Sequence, residues 1–245
     1  MRHSLSPSGE RVRERGVTQD QDLGLLSVLQ FSDSMFPSGA FTQSHGLEAL
    51  VADGLLDGPD ALRRVLEVSL LQRLATADLP ALLSAHSADH AEVVAIDQML
   101  SAVKLAREER EASVRVGRRV AVEVMRLVPE DRALSDFVEA IEASRTPGNA
   151  SVAQGIAAAA LAIPARIAAL GACHSFAAAM VSAAMRLTRL GHGDAQAVLR
   201  SVHPLMAEAV GIASQLPWQK MRSSAFQLDV AVARHERSAA RMFAS

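Results

Sequence analysis

Seven phenylalanines, one tryptophan and no tyrosine in 245 residues leave this chain without the aromatic and β-branched alternation from which sheets are built. Alanine, leucine and valine dominate instead, a balance that favours helices. Hydrophobic residues at 49% against charged residues at 21% supply the apolar surface for a sizeable core. The expected fold is all-α, a single-domain bundle of about ten helices joined by short connections.

Local punctuation places those helices. Asp22 caps a helix over 23–32, with Leu25, Leu26, Leu29 and Phe31 as its apolar face. A second runs from 41 or 42 to 53 and stops at Gly54; a third starts at Pro59-Asp60 and carries Leu62, Val65, Leu66, Leu70 and Leu71. Further helices are expected over 78–87, 90–101, 105–128, 135–144, 151–161, 164–190, 194–202, 204–215 and 229–242, with a turn at 145–149. Residues 1–22, polar and poor in aliphatic side chains, read as a disordered tail without the apolar run of a signal peptide. Residues 23–245 read as the helical domain, ending in a flexible carboxyl-terminal tail.

Charge and cysteine content narrow the function classes. Twenty-five Lys and Arg against 27 Asp and Glu give a net charge of −2, which offers no overall field for nucleic acid or anionic lipid. The single Cys173 forms no internal disulfide and belongs to no Cys-rich zinc site, so a cytoplasmic, metal-free protein is the expectation. Residues 146–165 and 167–185 contain no Asp, Glu, Lys or Arg and approach the length of a membrane span. Their Ala, Ser and Gly content, Pro147, Pro164 and the intervening Arg166 favour central buried helices instead.

The chain has no phosphate-binding Gly-rich loop, dinucleotide fingerprint or His-Glu-x-x-His zinc motif, so catalysis is disfavoured and no catalytic residue, cofactor or resident metal is expected. His86 and His90 would share a face if one helix ran through both, whereas a turn or cap at Ser87-Ala-Asp89 would separate them. Cys173 and His174 point about 100° apart on a helix, which makes them a poor chelating pair and Cys173 a core residue.

Four segments are less generic. In the first, Pro37 and Gly39 form a turn anchored by Phe36 and Phe41, after which Ser44, His45 and Glu48 emerge as a polar patch at a helix start. In the second, Arg107-Glu-Glu-Arg-Glu111 reads as a solvated helix face laced by weak ion pairs, while small Ser113 and Gly117, four apart, admit another backbone closely. The third is 185–196, where Gly191 terminates one helix, Asp194 caps the next and His192 occupies an exposed corner. The fourth is the tail, from His235-Glu236 to Arg241, Phe243 and Ser245.

Together these segments resemble the UreF family of urease accessory proteins. The resemblance runs from about Leu25 to Ser245. Phe36-Pro37-x-Gly39-x-Phe41-x-x-Ser44-x-Gly46-Leu47-Glu48 fits the family pattern at every fixed position. Asp78-Leu-Pro80, Glu108-x-Arg110-x-x-Ser113-x-x-x-Gly117, Arg186-Leu187-x-x-Leu190-Gly191-His192-x-Asp194-x-Gln196 and the His235-Glu236…Arg241-x-Phe243-x-Ser245 ending extend it. Arg189 stands where the family has Pro, His192 where it has Gln, and Thr146-Pro-Gly-Asn-Ala150 departs from a His-Pro-Val-like segment.

The resemblance implies an all-α, non-enzymatic, dimeric adaptor that binds a UreD-type (UreH) protein and recruits the UreG GTPase, so that nickel reaches apo-urease. It puts partner binding on Phe36, Pro37, Gly39, Phe41, Ser44, Gly46, Glu48, Glu108, Arg110, Arg186, Gly191, His192, Gln196, His235, Glu236, Arg241 and Phe243. Two other readings compete: an activator of GTP hydrolysis by UreG, for which no arginine is singled out by spacing, and an unrelated helical ligand-binding protein, which would need a closed apolar pocket.

Overall fold

The computed structural model describes residues 22–33, 35–39, 43, 45–223, 225 and 230. Among them every regular element is helical. In chain order these are α1 (Asp22–Ser32), α2 (Leu47–Ala52), α3 (Pro59–Val68), a π segment (Ser69–Asp78) and α4 (Leu79–Ala85). Then come α5 (His90–Val103), α6 (Arg107–Leu127), α7 (Arg132–Glu142), α8 (Ala150–Ala160), α9 (Ala165–Leu187), α10 (His192–Ser201), α11 (His203–Ala213) and a 3₁₀ turn (Trp218–Lys220). The all-α expectation holds. The expected tail over 1–22 and the 229–242 helix lie largely outside the described residues.

Where helices differ from expectation, the causes are local. α2 starts at Leu47 rather than 41 or 42 because His45 (φ 52°) and Gly46 (φ 87°) adopt left-handed backbone just before it. The helices expected from 59 and from 78 are one continuous run, because the π segment carries the chain from α3 into α4. In an α-helix, residues five apart point about 140° away from each other. The i→i+5 closure of a π segment brings Arg73 and Asp78 round towards one side, and both line the same cavity. Pro80 then enters α4 without an N–H to offer the Thr76 carbonyl four residues earlier. The Arg222 N–H takes that carbonyl at 3.0 Å, and the segment after the 3₁₀ turn is thereby laid against the π segment.

Two apolar clusters form the core. Leu62, Leu66, Leu70, Met180, Val198 and Val210 join α3, the π segment, α9, α10 and α11. Ile96, Leu100, Val120, Phe137, Val152 and Ile156 join α5, α6, α7 and α8. α4 contributes to both, with Leu79 and Leu82 in the first and Ala81 and Ala85 in the second. Burying each such side chain contributes roughly 1.5–3 kcal/mol, so the helices are held by packing of these stripes. α9 is the one described helix long and apolar enough to cross a membrane, and half of its most apolar window is buried inside the bundle.

Of the apolar face expected of α1, the leucines are turned outward and Phe31 alone packs, half-buried, against the core. Gly24 and Val28 are buried against the 162–164 turn and α9, and Ser175 donates to the Ser32 carbonyl at 3.0 Å, whereas Leu25, Leu26 and Leu29 are exposed. At the α9–α10 corner Gly191 (φ −75°) is the amino-terminal cap of α10, not the end of α9, and Asp194 lies inside the first turn rather than capping it. α9 stops earlier, at Thr188, whose hydroxyl bonds back to the Ala184 carbonyl at 2.8 Å.

Candidate functional site

The Pro37 turn leaves α1 with its backbone folded on itself. The Asp33 carboxylate accepts the Met35 N–H at 2.6 Å, the Asp33 carbonyl accepts the Phe36 N–H at 3.0 Å, and the Phe36 carbonyl accepts the Ser38 N–H at 2.7 Å. Gly39 closes the turn at φ +75°, a conformation that side-chain-bearing residues disfavour. Phe36 packs edge-on against Phe31, with ring centroids 5.1 Å apart, while Pro37 and Gly39 are exposed. Arg119 on α6 donates from Nε to the Pro37 carbonyl at 3.2 Å and ties the turn to that helix. Phe41 and Ser44 lie outside the described residues. Gly46 is buried as the cap of α2, and Glu48 is half-buried in its first turn.

The polar patch expected from His45 and Glu48 does not form as such, because His45 turns inward. Its ring tilts against Phe176 at 4.7 Å and lines a cavity of about 140 Å³ with Arg73, Asp78, Lys104 and Glu109. Burial, aided by the Arg73 charge, pushes the imidazole down to about 3, so it is neutral near pH 7.

The charges beside it form a closed network. Glu109 accepts from Arg73 at 2.6 Å and from Lys104 at 2.8 Å, and Lys104 also reaches Asp78 at 2.9 Å. Asp78 is further engaged by the Ser151 hydroxyl at 2.8 Å. Burial opposes ionisation of Glu109, but Arg73 and Lys104 outweigh it and hold the carboxyl at about 2. Burial likewise opposes the Lys104 charge, and the Asp78 and Glu109 carboxylates more than offset it, leaving its pKa raised. The Arg107–Glu111 run is therefore not a uniformly solvated face. Arg107 and Glu111 are exposed and 3.8 Å apart, whereas Glu108 and Glu109 are buried. Arg110 Nη1 donates to the Lys104 and Leu105 carbonyls at 2.6 and 2.8 Å, clasping the chain that enters α6.

The close approach expected at Ser113 and Gly117 is present. The Ser113 hydroxyl accepts the Ala150 N–H at 3.2 Å, and a Cβ on Gly117 would overlap the Gly148 carbonyl. Asp97 holds the same turn from the other side. Its carboxylate accepts from Thr146 Oγ1 at 2.7 Å, Gly148 N at 2.6 Å and both Asn149 N and Nδ2 at 2.8 Å.

Four of the remaining expected residues lie on another part of the surface. Arg186, Gly191, His192 and Gln196 are all exposed around the α9–α10 corner. His235, Glu236, Arg241 and Phe243 fall outside the described residues. No group of three or more potential metal ligands occurs among the described residues. His86 ends α4 with Nε2 2.8 Å from the Ile163 carbonyl, and His90 opens α5 behind the Asp89 cap, so the two do not share a helix. Cys173 is buried, which pushes its thiol up to about 12.

Arg73, Lys104, Asp97 and Arg119 were absent from the sequence reading. Two of them carry a usable signal: Arg73 interrupts the apolar run SLLQRLATA, and Asp97 lies one residue beyond Ile96 in VVAIDQML, both within stretches that helical periodicity buries.

A family model, UreF, matches residues 56–203. The chain is 34% identical to urease accessory protein UreF 1 of Brucella melitensis over 224 residues, covering 90% of this chain and 92% of that protein. It is 31% identical to urease accessory protein UreF of Paenarthrobacter aurescens, covering 90% and 97%, and 28% identical to that of a Bacillus strain, covering 90% and 99%.

Proposed function

Because the chain belongs to the UreF family of urease accessory proteins, we propose that it is a non-catalytic adaptor of urease maturation, bridging a UreD/UreH-type protein and a UreG-type GTPase so that nickel enters apo-urease. The relatedness to urease accessory proteins across nine-tenths of the chain carries this reading. The geometry is consistent with it. The Asp78 and Glu109 carboxylates are bound to internal cations, while a pinned turn and a helix corner are exposed and suited to contact. Nickel is cargo of the complex, and this chain acts in the cytoplasm as a homodimer without tight metal storage. Partner contact is assigned to the Phe36–Gly39 turn, to Phe41, Ser44, Gly46 and Glu48 after it, to Glu108 and Arg110, to the Arg186–Gln196 corner and to the tail.

Affinity capture from cells expressing the urease gene cluster tests the proposal. The tagged chain is expected to recover UreD-like and UreG-like proteins, and its deletion to leave urease nickel-poor. Recovery of neither partner, with urease fully active in the deletion strain, would refute it.

A further inference from the structure

α6 has one face that neither the core nor the internal network uses. At 3.6 residues per turn, Arg107, Glu111, Arg115, Arg118, Arg119 and Arg126 fall within an arc of about 120°, along about 28 Å of helix. All six are exposed. The stripe holds five arginines and one glutamate, with half-buried Glu123 at its margin 2.9 Å from both Arg119 and Arg126. This is a positive surface on a chain whose net charge is −2. Helix stability does not explain it. Arg115 stands three and four residues from Arg118 and Arg119, spacings at which like charges repel, and exposed ion pairs such as Arg107–Glu111 contribute little.

Its position relative to the turns is defined by two hydrogen bonds. Arg119 Nε donates to the Pro37 carbonyl at 3.2 Å and Arg118 Nε to the Pro147 carbonyl at 3.1 Å. The stripe therefore adjoins the exposed Pro37 turn through Arg119. We propose that the outer face of α6 is a docking surface for an acidic protein surface, an assignment that rests on the adaptor reading. Guanidinium forks pair with carboxylates in a planar, two-point geometry, and arginine is enriched at protein interfaces. A nucleic acid is the weaker match. Glu111 and Glu123 interrupt the stripe, it carries no aromatic side chain for stacking, and the whole chain is negatively charged.

The test titrates purified UreD-type and UreG-type proteins, separately, onto the full chain and onto the double variant Arg115→Glu with Arg126→Glu, with circular dichroism to verify the fold. Association with one partner is expected to slow about tenfold at low salt, and the difference to shrink as the Debye length falls below about 10 Å. Arg115→Lys with Arg126→Lys keeps the charge and is expected to retain most of the salt-sensitive association even if the reversal perturbs the helix. Equal, salt-independent association of wild type and both variants would overturn the inference and leave the adaptor reading intact. Failure of the wild-type chain to bind either protein would sink both. Binding of a DNA duplex by wild type, lost in the reversal variant, would overturn the assignment to a protein surface.

Discussion

Two proline turns rest on the same helix by the same contact, an α6 arginine donating to a proline carbonyl, yet one is buried and the other exposed. The Thr146–Asn149 turn is also held by four hydrogen bonds to the buried Asp97 carboxylate and lies where Gly117 has no side chain. The Phe36–Gly39 turn is secured by short backbone bonds, Phe31 and Arg119, with Pro37 and Gly39 exposed and neighbouring Met35 89% exposed. Identical anchors thus do not make two loops equivalent. What differs is burial: Thr146, Gly148 and Asn149 are buried around a paired carboxylate, whereas Pro37 and Gly39 are exposed.

The contrast breaks most readily at Asp97. Asp97→Ala leaves the Thr146, Gly148 and Asn149 donors without their acceptor and is expected to cost about 3–5 kcal/mol in denaturant melts, in line with the loss of a buried, charged hydrogen-bond hub. A loss below about 1 kcal/mol would show that the inner turn is no better fixed than the outer one.

Acid sharpens the comparison, because titrating groups lie beside the outer turn. His45 is held neutral in the folded protein, at about 3 against an ordinary 6.5, so the unfolded chain binds the extra proton between those values. Its contribution is complete above pH 6.5 and is lost as pH falls towards 3. Glu109, lowered from 4.5 to about 2, loses its contribution over that lower window. Melts from pH 7 to 4 should show stability falling with pH by a few kcal/mol, and His45→Gln should flatten the limb above pH 4.5. A pH-independent melt would remove the neutral His45 from the account.

Gly39→Ala probes the outer turn alone. Nothing crowds a Cβ there, so the expected cost is about 1 kcal/mol, from placing a side chain at φ +75°. A larger loss would mean that the turn is held more tightly than its contacts indicate. Smallest in stability is Glu48→Ala, in the first turn of α2, expected to cost under about 1 kcal/mol from the helix dipole while impairing urease activation in cells. Unchanged activation with an unchanged melt would make the segment a mere corner.

Much of this architecture was legible in residue order because it depends on near neighbours. The long helix expected over 105–128 is α6, Arg107–Leu127, and the stop at Gly54 is a left-handed residue after α2. The Asp89 cap separates His86 from His90, as one of the two sequence readings had it. The small pair Ser113 and Gly117 does admit a neighbouring backbone. At the candidate site the motif around Phe36 located an exposed turn, but its neighbours were beyond reach of local pattern. Glu109 looked like part of a solvated run because its partner Arg73 is 36 residues away, and the α6 stripe appears only once the helix's buried side is known.

Sequence alone determined the helical class, most helix positions and the family, since propensity, capping and motif spacing act within a few residues. Tertiary structure decided the orientation of α1, whose leucines face outward while Gly24 and Val28 face α9 and its preceding turn, and the fusion of α3 and α4 through the π segment. It also decided which charges are buried. A helix's apolar stripe says that a face wants cover, but only the shape of the neighbour settles which side can approach, and a buried charge is tolerable only where a distant chain segment supplies its counter-ion.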